Sequence, residues 1–220
     1  YSQKIPENIQ FEHIPVPGTI HSALTEDITR DEYGMMWVAK DALYRYDGRE
    51  FKKYDLISND SMLFSPREVS MLTWDHIGHR LLIGTRNYGV VQYSYESDKL
   101  VRLPGKDGTP IVNDIALTPA GILVTSMTSG IFKLVNDTLV KADLPGDIKW
   151  PSQIITVGDT AWISCQNEVI TVRRNQVVDR LRFEEMNAFG NATVRASCLM
   201  FDHIGNLWVG TERDGIVVID

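Results

Sequence analysis

The stretch DHIGNLWVGTERDGIVVID at residues 202–220 decides the fold, because the chain carries nearly the same phrase, DHIGHRLLIGTRNYGVVQY, at residues 75–93. Each phrase opens on a turn with Asp and Gly and passes through an apolar run to Gly-Thr. It then turns again at a second Gly and ends in another apolar run. Short apolar runs bounded by turn residues are typical of β-strands. The phrase therefore predicts turn, strand, turn, strand.

The phrase recurs along the whole chain at a nearly constant spacing. Its first glycine falls at Gly34, Gly78, Gly121 and Gly205. The step is about 43 residues, with one double step before the last glycine that leaves room for a further copy. The segment VGDTAWISCQNEVITV at 157–172 fills that place, although it lacks the Gly-Thr. The chain therefore contains five copies of one unit.

Each of the first four copies carries four short apolar segments joined by turns. In the second copy they are VSMLTW, LLIGT, VVQYSY and LVRL, between residues 69 and 103. These segments do not show the apolar spacing of a helix, and a β-helix would have a shorter period. Four strands per repeat predict an all-β fold, a β-propeller with four-stranded antiparallel blades. The expected repeats are about 20–55, 67–104, 111–143, 152–182 and 194–220.

The two ends of the chain leave the closure of the ring open. The fifth copy stops before a fourth strand, while IQFEHI at 9–14, within the segment 1–14, reads as an outer strand that precedes the first copy. Such a strand can complete the last blade and remove an exposed sheet edge. One interpretation is a closed ring of five blades. The favoured one is an N-terminal fragment of a larger ring, because the chain stops directly after VVID.

Composition narrows the class of function. The formal net charge is -7 and there is no Lys/Arg run, which argues against nucleic acid contact. No apolar run approaches the roughly 20 residues that a membrane span needs. The chain starts at Tyr1, so we expect that a leader or upstream region has been removed. Cys165 and Cys198 lie in apolar stretches and are expected to be buried free thiols.

The repeated phrase has a structural interpretation first. Trp37, Trp162 and Trp208 fall on second strands, where they are expected to pack between neighbouring blades. Gly84 and Gly210 are expected to permit close packing. Written as D-x-x-G-x-L-W-V-G-T-x-x-x-G-I, the phrase resembles the two-component regulator propeller repeat. The resemblance covers nearly the whole chain and is weakest in the fourth copy, which lacks Gly-Thr.

The resemblance implies a sensor. Propellers of that family form the extracytoplasmic part of hybrid two-component systems, common in gut Bacteroides, as seven-bladed rings ahead of a membrane span and a histidine kinase. Their ligands are typically oligosaccharides. For this chain, the resemblance implies a periplasmic region that binds a ligand and belongs to a homodimeric sensor. It also implies that the region holds no cofactor and catalyses no reaction itself. The five copies in this chain are fewer than the seven blades of those rings, as expected if the chain is a fragment of such a ring.

Candidate ligand contacts lie where the copies differ. The loop between the second and third strands shares a face with the linker to the next blade, and repeat proteins vary such loops. Aromatic and planar polar groups suit a sugar, whose ring stacks and whose hydroxyls need partners. Solvated turns are the alternative. The candidates are Arg86, Asn87, Tyr88, Thr128, Ser129, Glu212, Arg213 and Asp214.

Catalytic and metal signatures are weak in this sequence. It contains no G-x-S-x-G, H-E-x-x-H, G-x-G-x-x-G or Walker motif. His76 and His79 flank a turn glycine and are interpreted as turn residues. Two alternatives to a sensor stay open. A propeller lyase or hydrolase would need titratable side chains that converge at the channel mouth, and a protein scaffold would need a contiguous exposed apolar patch.

Overall fold

The computed structural model describes residues 12–17, 24–54, 68–185 and 193–220. Within these ranges it contains four four-stranded antiparallel sheets and one three-stranded sheet. Each sheet lies within one of the five predicted repeats. The strands of the first three sheets are β1 (Asp27–Arg30), β2 (Met36–Ala39), β3 (Leu43–Tyr46), β4 (Phe51–Tyr54), β5 (Val69–Asp75), β6 (Arg80–Thr85), β7 (Val90–Ser94), β8 (Lys99–Arg102), β9 (Asp114–Thr118), β10 (Gly121–Ser126), β11 (Gly130–Val135) and β12 (Thr138–Lys141). The last two sheets contain β13 (Ile154–Val157), β14 (Thr160–Ser164), β15 (Glu168–Arg173), β16 (Gln176–Arg182), β17 (Ala196–Phe201), β18 (Leu207–Thr211) and β19 (Ile216–Ile219).

Every sheet is a meander in which each strand pairs with the next along the chain. The first strands of successive sheets contact one another in the order β1, β5, β9, β13 and β17. These are the inner strands of the blades. Among the described strands, no comparable contact joins β17 back to β1. The five blades therefore form an arc, and the predicted all-β propeller architecture is confirmed.

The hydrogen bonds that its side chain accepts explain why the phrase begins with Asp. In the first blade, Asp31 Oδ1 accepts the backbone N–H groups of Tyr33 and Met35, and Oδ2 accepts the indole N–H of Trp37 at 2.8 Å. Asp202 repeats this in the fifth blade, where Trp208 Nε1 donates to it at 3.0 Å. That indole hydrogen bond helps to hold the pKa of Asp202 down, at about 2. The spacing of six residues from Asp to Trp thus fixes both the turn and the second strand.

The second blade keeps the Asp turn but has no tryptophan at the matching place. Asp75 Oδ1 accepts the N–H groups of Ile77 and Gly78, while Oδ2 accepts Arg80 Nε at 3.0 Å. An arginine one residue earlier therefore takes the place of the indole. This substitution shows that the turn tolerates different donors as long as the carboxylate is satisfied.

The hydrophobic core lies between the blades. In the described residues, four apolar clusters each join one sheet to the next. Trp37 is fully buried between the first two sheets, beside Tyr54 and Tyr93. Gly84 is needed in the next interface, because a Cβ there would lie 2.6 Å from a methyl group of Val112. The packing expected for Gly84 and Trp37 is therefore observed.

The outer face of the fifth sheet is exposed. Its central row pairs Met200 with Trp208 and Trp208 with Val218, and the side chains are 57%, 37% and 41% exposed. Ile216 on the same sheet is 66% exposed. Trp208 therefore packs against no further blade in the described structure, unlike its counterpart Trp37. An apolar cross-strand row of this kind is the pattern of a blade face that another sheet covers.

The same exposed face overturns one expectation about the cysteines. Both thiols are free, as expected, and Cys165 is buried, where desolvation raises the pKa of its thiol. Cys198 is exposed, so the prediction that it is buried was wrong. The reason is that Cys198 pairs with Gly210 across the fifth sheet, which has no neighbour on one side.

Half of the predicted N-terminal strand, residues 9–11, lies outside the described residues. Of IQFEHI, only Glu12, His13 and Ile14 are described, and they are not in a strand. Farther along, Val16 packs against Val38, Ala42 and Tyr44 on the outer face of the first sheet. The pairing of residues 9–14 with β19 stays a prediction.

Candidate functional site

The second-to-third-strand loops and the linkers between blades meet on one face of the arc, which we call the loop face. They are joined by backbone hydrogen bonds: Val112 N donates to Thr85 O at 2.9 Å, and Gln166 N donates to Lys149 O at 2.9 Å. Glu212 N likewise donates to Arg195 O at 3.0 Å. Each variable loop is therefore fixed against a linker, which makes this face a rigid platform for side chains.

The loop of the second blade uses its polar groups within the protein. Arg86 pairs with Glu26 at 3.2 Å, and Asn87 donates to Glu68 Oε1 at 2.9 Å. Tyr88 packs against the core between the first two blades. These three predicted site residues lie on the loop face, but they connect the loop to neighbouring segments. They do not line the large cavity described next.

That cavity, of about 650 Å³, opens on the loop face at the boundary between the third and fourth blades. Its size is within the range of small-ligand sites. The β10–β11 loop supplies two predicted site residues, Thr128 and Ser129. Strands β11 and β12 and the linker from β12 to β13 supply most of the remaining wall. The main lining residues are Met127, Thr128, Ser129, Ile131, Lys141, Leu144, Asp147, Ile148, Lys149 and Trp150.

Trp150 is the least expected part of this wall. Its φ is +53°, in the left-handed region that bulky side chains rarely adopt. It also precedes Pro151, and a residue before proline prefers extended backbone. Such a conformation persists only where the surroundings enforce it, and it is a marker of functional positions. The fold therefore places an indole ring at the cavity at a cost in backbone energy.

Arg195 holds the Trp150 ring from the next blade. Its guanidinium carbon lies 4.0 Å from the ring centroid, and its Nη1 is 3.5 Å from Glu212 Oε2. Arg195 therefore contacts the ring without lining the cavity, whereas Trp150 itself is a lining residue. The predicted site residue Glu212 thus contacts Arg195 and does not line the cavity. Arg213 and Asp214 lie in the same β18–β19 loop but not in the cavity wall.

A partly buried ion pair supports the start of the same linker. Arg180 Nη1 lies 2.5 Å from Glu168 Oε1, and its Nη2 donates to Pro145 O at 2.7 Å. Gly146 has a φ of +91°, and a Cβ there would lie 2.4 Å from Arg180 Nη2. The positive φ favours glycine at this position, and a larger residue would also displace the end of the Arg180 side chain. The shape of the cavity therefore depends on charges from the fourth blade.

The inner strands carry a second polar feature, near the axis of the arc. Asp27 Oδ2 accepts the N–H of Leu72 at 2.6 Å, and Asp114 Oδ2 accepts the N–H of Ile154 at 2.7 Å. Each carboxylate thus joins one inner strand to another. Burial raises the pKa of Asp114 to about 6, and the negative charge of Asp27 adds to the shift. These groups are used as backbone acceptors, which is a structural role.

Of the residues predicted from the sequence, Thr128 and Ser129 line the cavity, whereas the lining residues Trp150, Lys141 and Lys149 and the ring contact Arg195 were not predicted. The signal available was KWP at 149–151, an aromatic residue before a proline in a linker between two copies. A linker tryptophan has no counterpart in the repeated phrase. Residues outside the repeat pattern can therefore line a cavity as well as the variable loops do.

Comparison with known proteins shows the fold. No family model matches the chain, and no curated protein matches it. The extracellular domain of a hybrid two-component system of B. thetaiotaomicron is similar in structure, with 17% identity and a TM-score of 0.60. That likeness covers 89% of this chain and 33% of the other, so the chain spans about a third of its length.

Two further solved structures share the arrangement. A virginiamycin B lyase of Staphylococcus aureus, a catalytically inactive variant with quinupristin, has 15% identity and a TM-score of 0.68, over 91% of this chain and 67% of that one. The WD40 propeller domain of Doa1 has 13% identity and a TM-score of 0.57, over 88% and 67%. The fold is a β-propeller. No helix in the described part of the chain is long and apolar enough to cross a membrane.

Proposed function

We propose that the chain is the ligand-sensing, extracytoplasmic propeller region of a two-component sensor, located in the periplasm, and that it binds an oligosaccharide. The observation that carries the proposal is the cavity between the third and fourth blades. It combines an indole ring with the hydroxyl groups of Thr128 and Ser129. An apolar sugar face can stack on the ring, while the sugar hydroxyls need donors and acceptors. The likeness to an extracellular sensor domain supports the cellular setting.

The sensor would be a larger ring than the five blades described. The outer face of the fifth sheet presents Met200, Trp208 and Val218 to solvent, whereas the equivalent Trp37 is covered by the following blade. Residues 1–220 span a third of the similar extracellular domain. Further blades, a membrane span and a histidine kinase belong to the proposed full protein, which signals as a homodimer.

The proposed mechanism is a shift between arrangements of neighbouring blades. The cavity is lined by the third blade and its linker to the fourth, and Arg195 and Glu212 connect Trp150 to the fifth blade. A ligand that binds one arrangement of these blades better shifts the population by its difference in affinity. The ordered loop face transmits this preference toward the later blades.

An enzyme is less well supported by the described residues. Asp27 and Asp114 begin inner strands, and both oxygens of each carboxylate accept backbone N–H groups. A general acid or base needs a free oxygen within reach of the substrate. The likeness to the lyase is one of fold, at 15% identity. A binding module therefore remains the better interpretation of the loop face.

Trp150→Gly tests the proposed site. Glycine accepts the backbone conformation of residue 150 and removes only the ring. We expect loss of oligosaccharide affinity by at least about tenfold, measured by calorimetric titration of a panel of neutral and acidic oligosaccharides. Asn87→Ala is the matched contrast, because it removes a predicted loop residue outside the cavity. Unchanged affinity in Trp150→Gly, with loss in Asn87→Ala, would move the site to the second blade.

A further inference from the structure

The charges around the cavity are unbalanced. Two ammonium groups line it, those of Lys141 and Lys149, against one carboxylate, that of Asp147. Lys149 and Asp147 form an exposed ion pair with a distance of 3.0 Å. The positive charge of Lys141 therefore has no opposite charge to balance it among the lining residues. A local positive charge is unusual on a chain whose net charge is -7.

Lys141 has no ion-pair partner elsewhere in the described ranges. No carboxylate among those residues lies within 4.0 Å of its ammonium nitrogen. Its backbone N–H donates to Asp107 Oδ2 at 2.9 Å, which fixes the end of β12. The side-chain stem passes Gly130, whose added Cβ would lie 3.6 Å from Lys141 Cε. The backbone at the strand end is therefore fixed, the stem runs beside Gly130, and Lys141 lines the cavity.

The positive charge of Arg195, the other charged group near the Trp150 ring, is neutralised by Glu212. Arg195 stacks on Trp150 and pairs with Glu212, and it does not line the cavity. The excess positive charge that a ligand meets therefore comes from Lys141. An ammonium group forms its strongest hydrogen bonds with carboxylate, sulfate or phosphate oxygens. Pairing there also gives an orientation, because the ring of the ligand is held separately on Trp150.

We infer that the cavity selects acidic sugars, with a carboxylate or sulfate on Lys141 and the sugar ring on Trp150. This inference rests on the proposed function, since it names the class of oligosaccharide for the same site. A neutral sugar would leave Lys141 unpaired and would lose the charge-assisted hydrogen bond. The cavity would therefore discriminate by charge as well as by shape.

The experiment compares acid and neutral forms of the same sugar. The probes are uronic acid di- and trisaccharides beside their methyl esters, and sulfated disaccharides beside their desulfated forms. Binding is measured by calorimetric titration at low and moderate salt. We expect at least one acid form to bind about tenfold more tightly than its neutral partner. The difference should shrink as salt rises.

Lys141→Gln identifies the group responsible, and Lys99→Gln is its matched control at an exposed position on the outer strand of the second blade. We expect Lys141→Gln to abolish the preference for the acid form and Lys99→Gln to keep it. Equal binding of acid and neutral forms to the unsubstituted protein would overturn this inference and leave the proposed function standing. Absence of binding by every acid and neutral probe would overturn both. A preference that survives Lys141→Gln would also overturn the assignment.

Discussion

At the scale of single residues, one carboxylate accounts for the repeated phrase. Asp31 and Asp202 occupy the same place in their copies, and each binds two turn N–H groups and an indole N–H. Their surroundings differ. Asp31 is buried and also accepts the hydroxyl of Tyr95 from the second blade, whereas Asp202 lies at the blade with the exposed face. The same motif is therefore expected to contribute unequally to stability.

Asp31→Ala and Asp202→Ala test this difference. Removing Asp31 leaves the buried indole N–H of Trp37 and the hydroxyl of Tyr95 without their acceptor. We expect a loss of about 2–4 kcal/mol in the free energy of unfolding. Asp202→Ala exposes its former partners to water, so it should cost clearly less than Asp31→Ala. Urea denaturation measures both, and equal losses would show that the blade interface does not strengthen the motif.

Trp150, in the wall of the cavity, is held in an unfavourable backbone conformation by contacts from elsewhere in the chain. Trp150 lies in a backbone conformation that its side chain and the following proline both disfavour. Arg195 stacks on the ring from another blade. The energy that holds Trp150 in place therefore comes from outside its own segment, which is the arrangement expected of a residue kept for its contact with a ligand.

At the scale of elements, side chains join the inner strands. Asp114 begins β9 and accepts the N–H of Ile154 in β13, and its other oxygen accepts the N–H of Ile115. Burial and the nearby charge of Asp27 raise its pKa to about 6, above the ordinary value of 3.8. Because the folded pKa is raised, the ionised form of Asp114 opposes folding. Its contribution to stability is greatest below pH 4 and is lost as the pH rises through 6.

Asp114→Asn should therefore have an effect that depends on pH. The amide keeps an oxygen for the N–H of Ile154 but cannot ionise. We expect the stability of the variant, relative to the unsubstituted protein, to rise by on the order of 2 kcal/mol between pH 4 and pH 7. Denaturation midpoints at several pH values measure this. A difference independent of pH would show that Asp114 titrates normally in the folded protein.

At the scale of the whole molecule, the two outer faces of the arc are not alike. Val16 packs on the first sheet, beside Val38 and Tyr44, while the fifth sheet exposes Met200, Trp208 and Val218. An exposed apolar row on a sheet is a surface for association. We therefore expect residues 1–220 alone to self-associate in a concentration-dependent way.

Trp208→Lys tests the origin of that association. A lysine in the centre of the row should shift the protein toward the monomer, as measured by sedimentation velocity over a range of concentrations. Val135→Lys is the control, because Val135 is 42% exposed on the third sheet, away from the row. Association that persists in Trp208→Lys, or that disappears in Val135→Lys, would place the contact elsewhere.

The sequence repeat by itself is sufficient to predict the fold. A constant period, apolar segments between turn residues and one carboxylate six residues before a tryptophan are all local features, so they can be recognised without knowing the neighbours. Even the fourth copy, which lacks Gly-Thr, forms β13 to β16 as the period predicts. Thr128 and Ser129 could be predicted for the same reason, since the position of a loop follows from the blade.

Only the tertiary structure decided the exposure of Cys198 and the role of Trp150. The pattern of a strand shows which side chains share a face, but whether that face is covered depends on another blade. The site of Trp150 likewise depends on Arg195, which is 45 positions away in the chain and meets it through the packing of blades. Contacts between repeats join residues far apart in the chain, so the local pattern of any one repeat does not specify them.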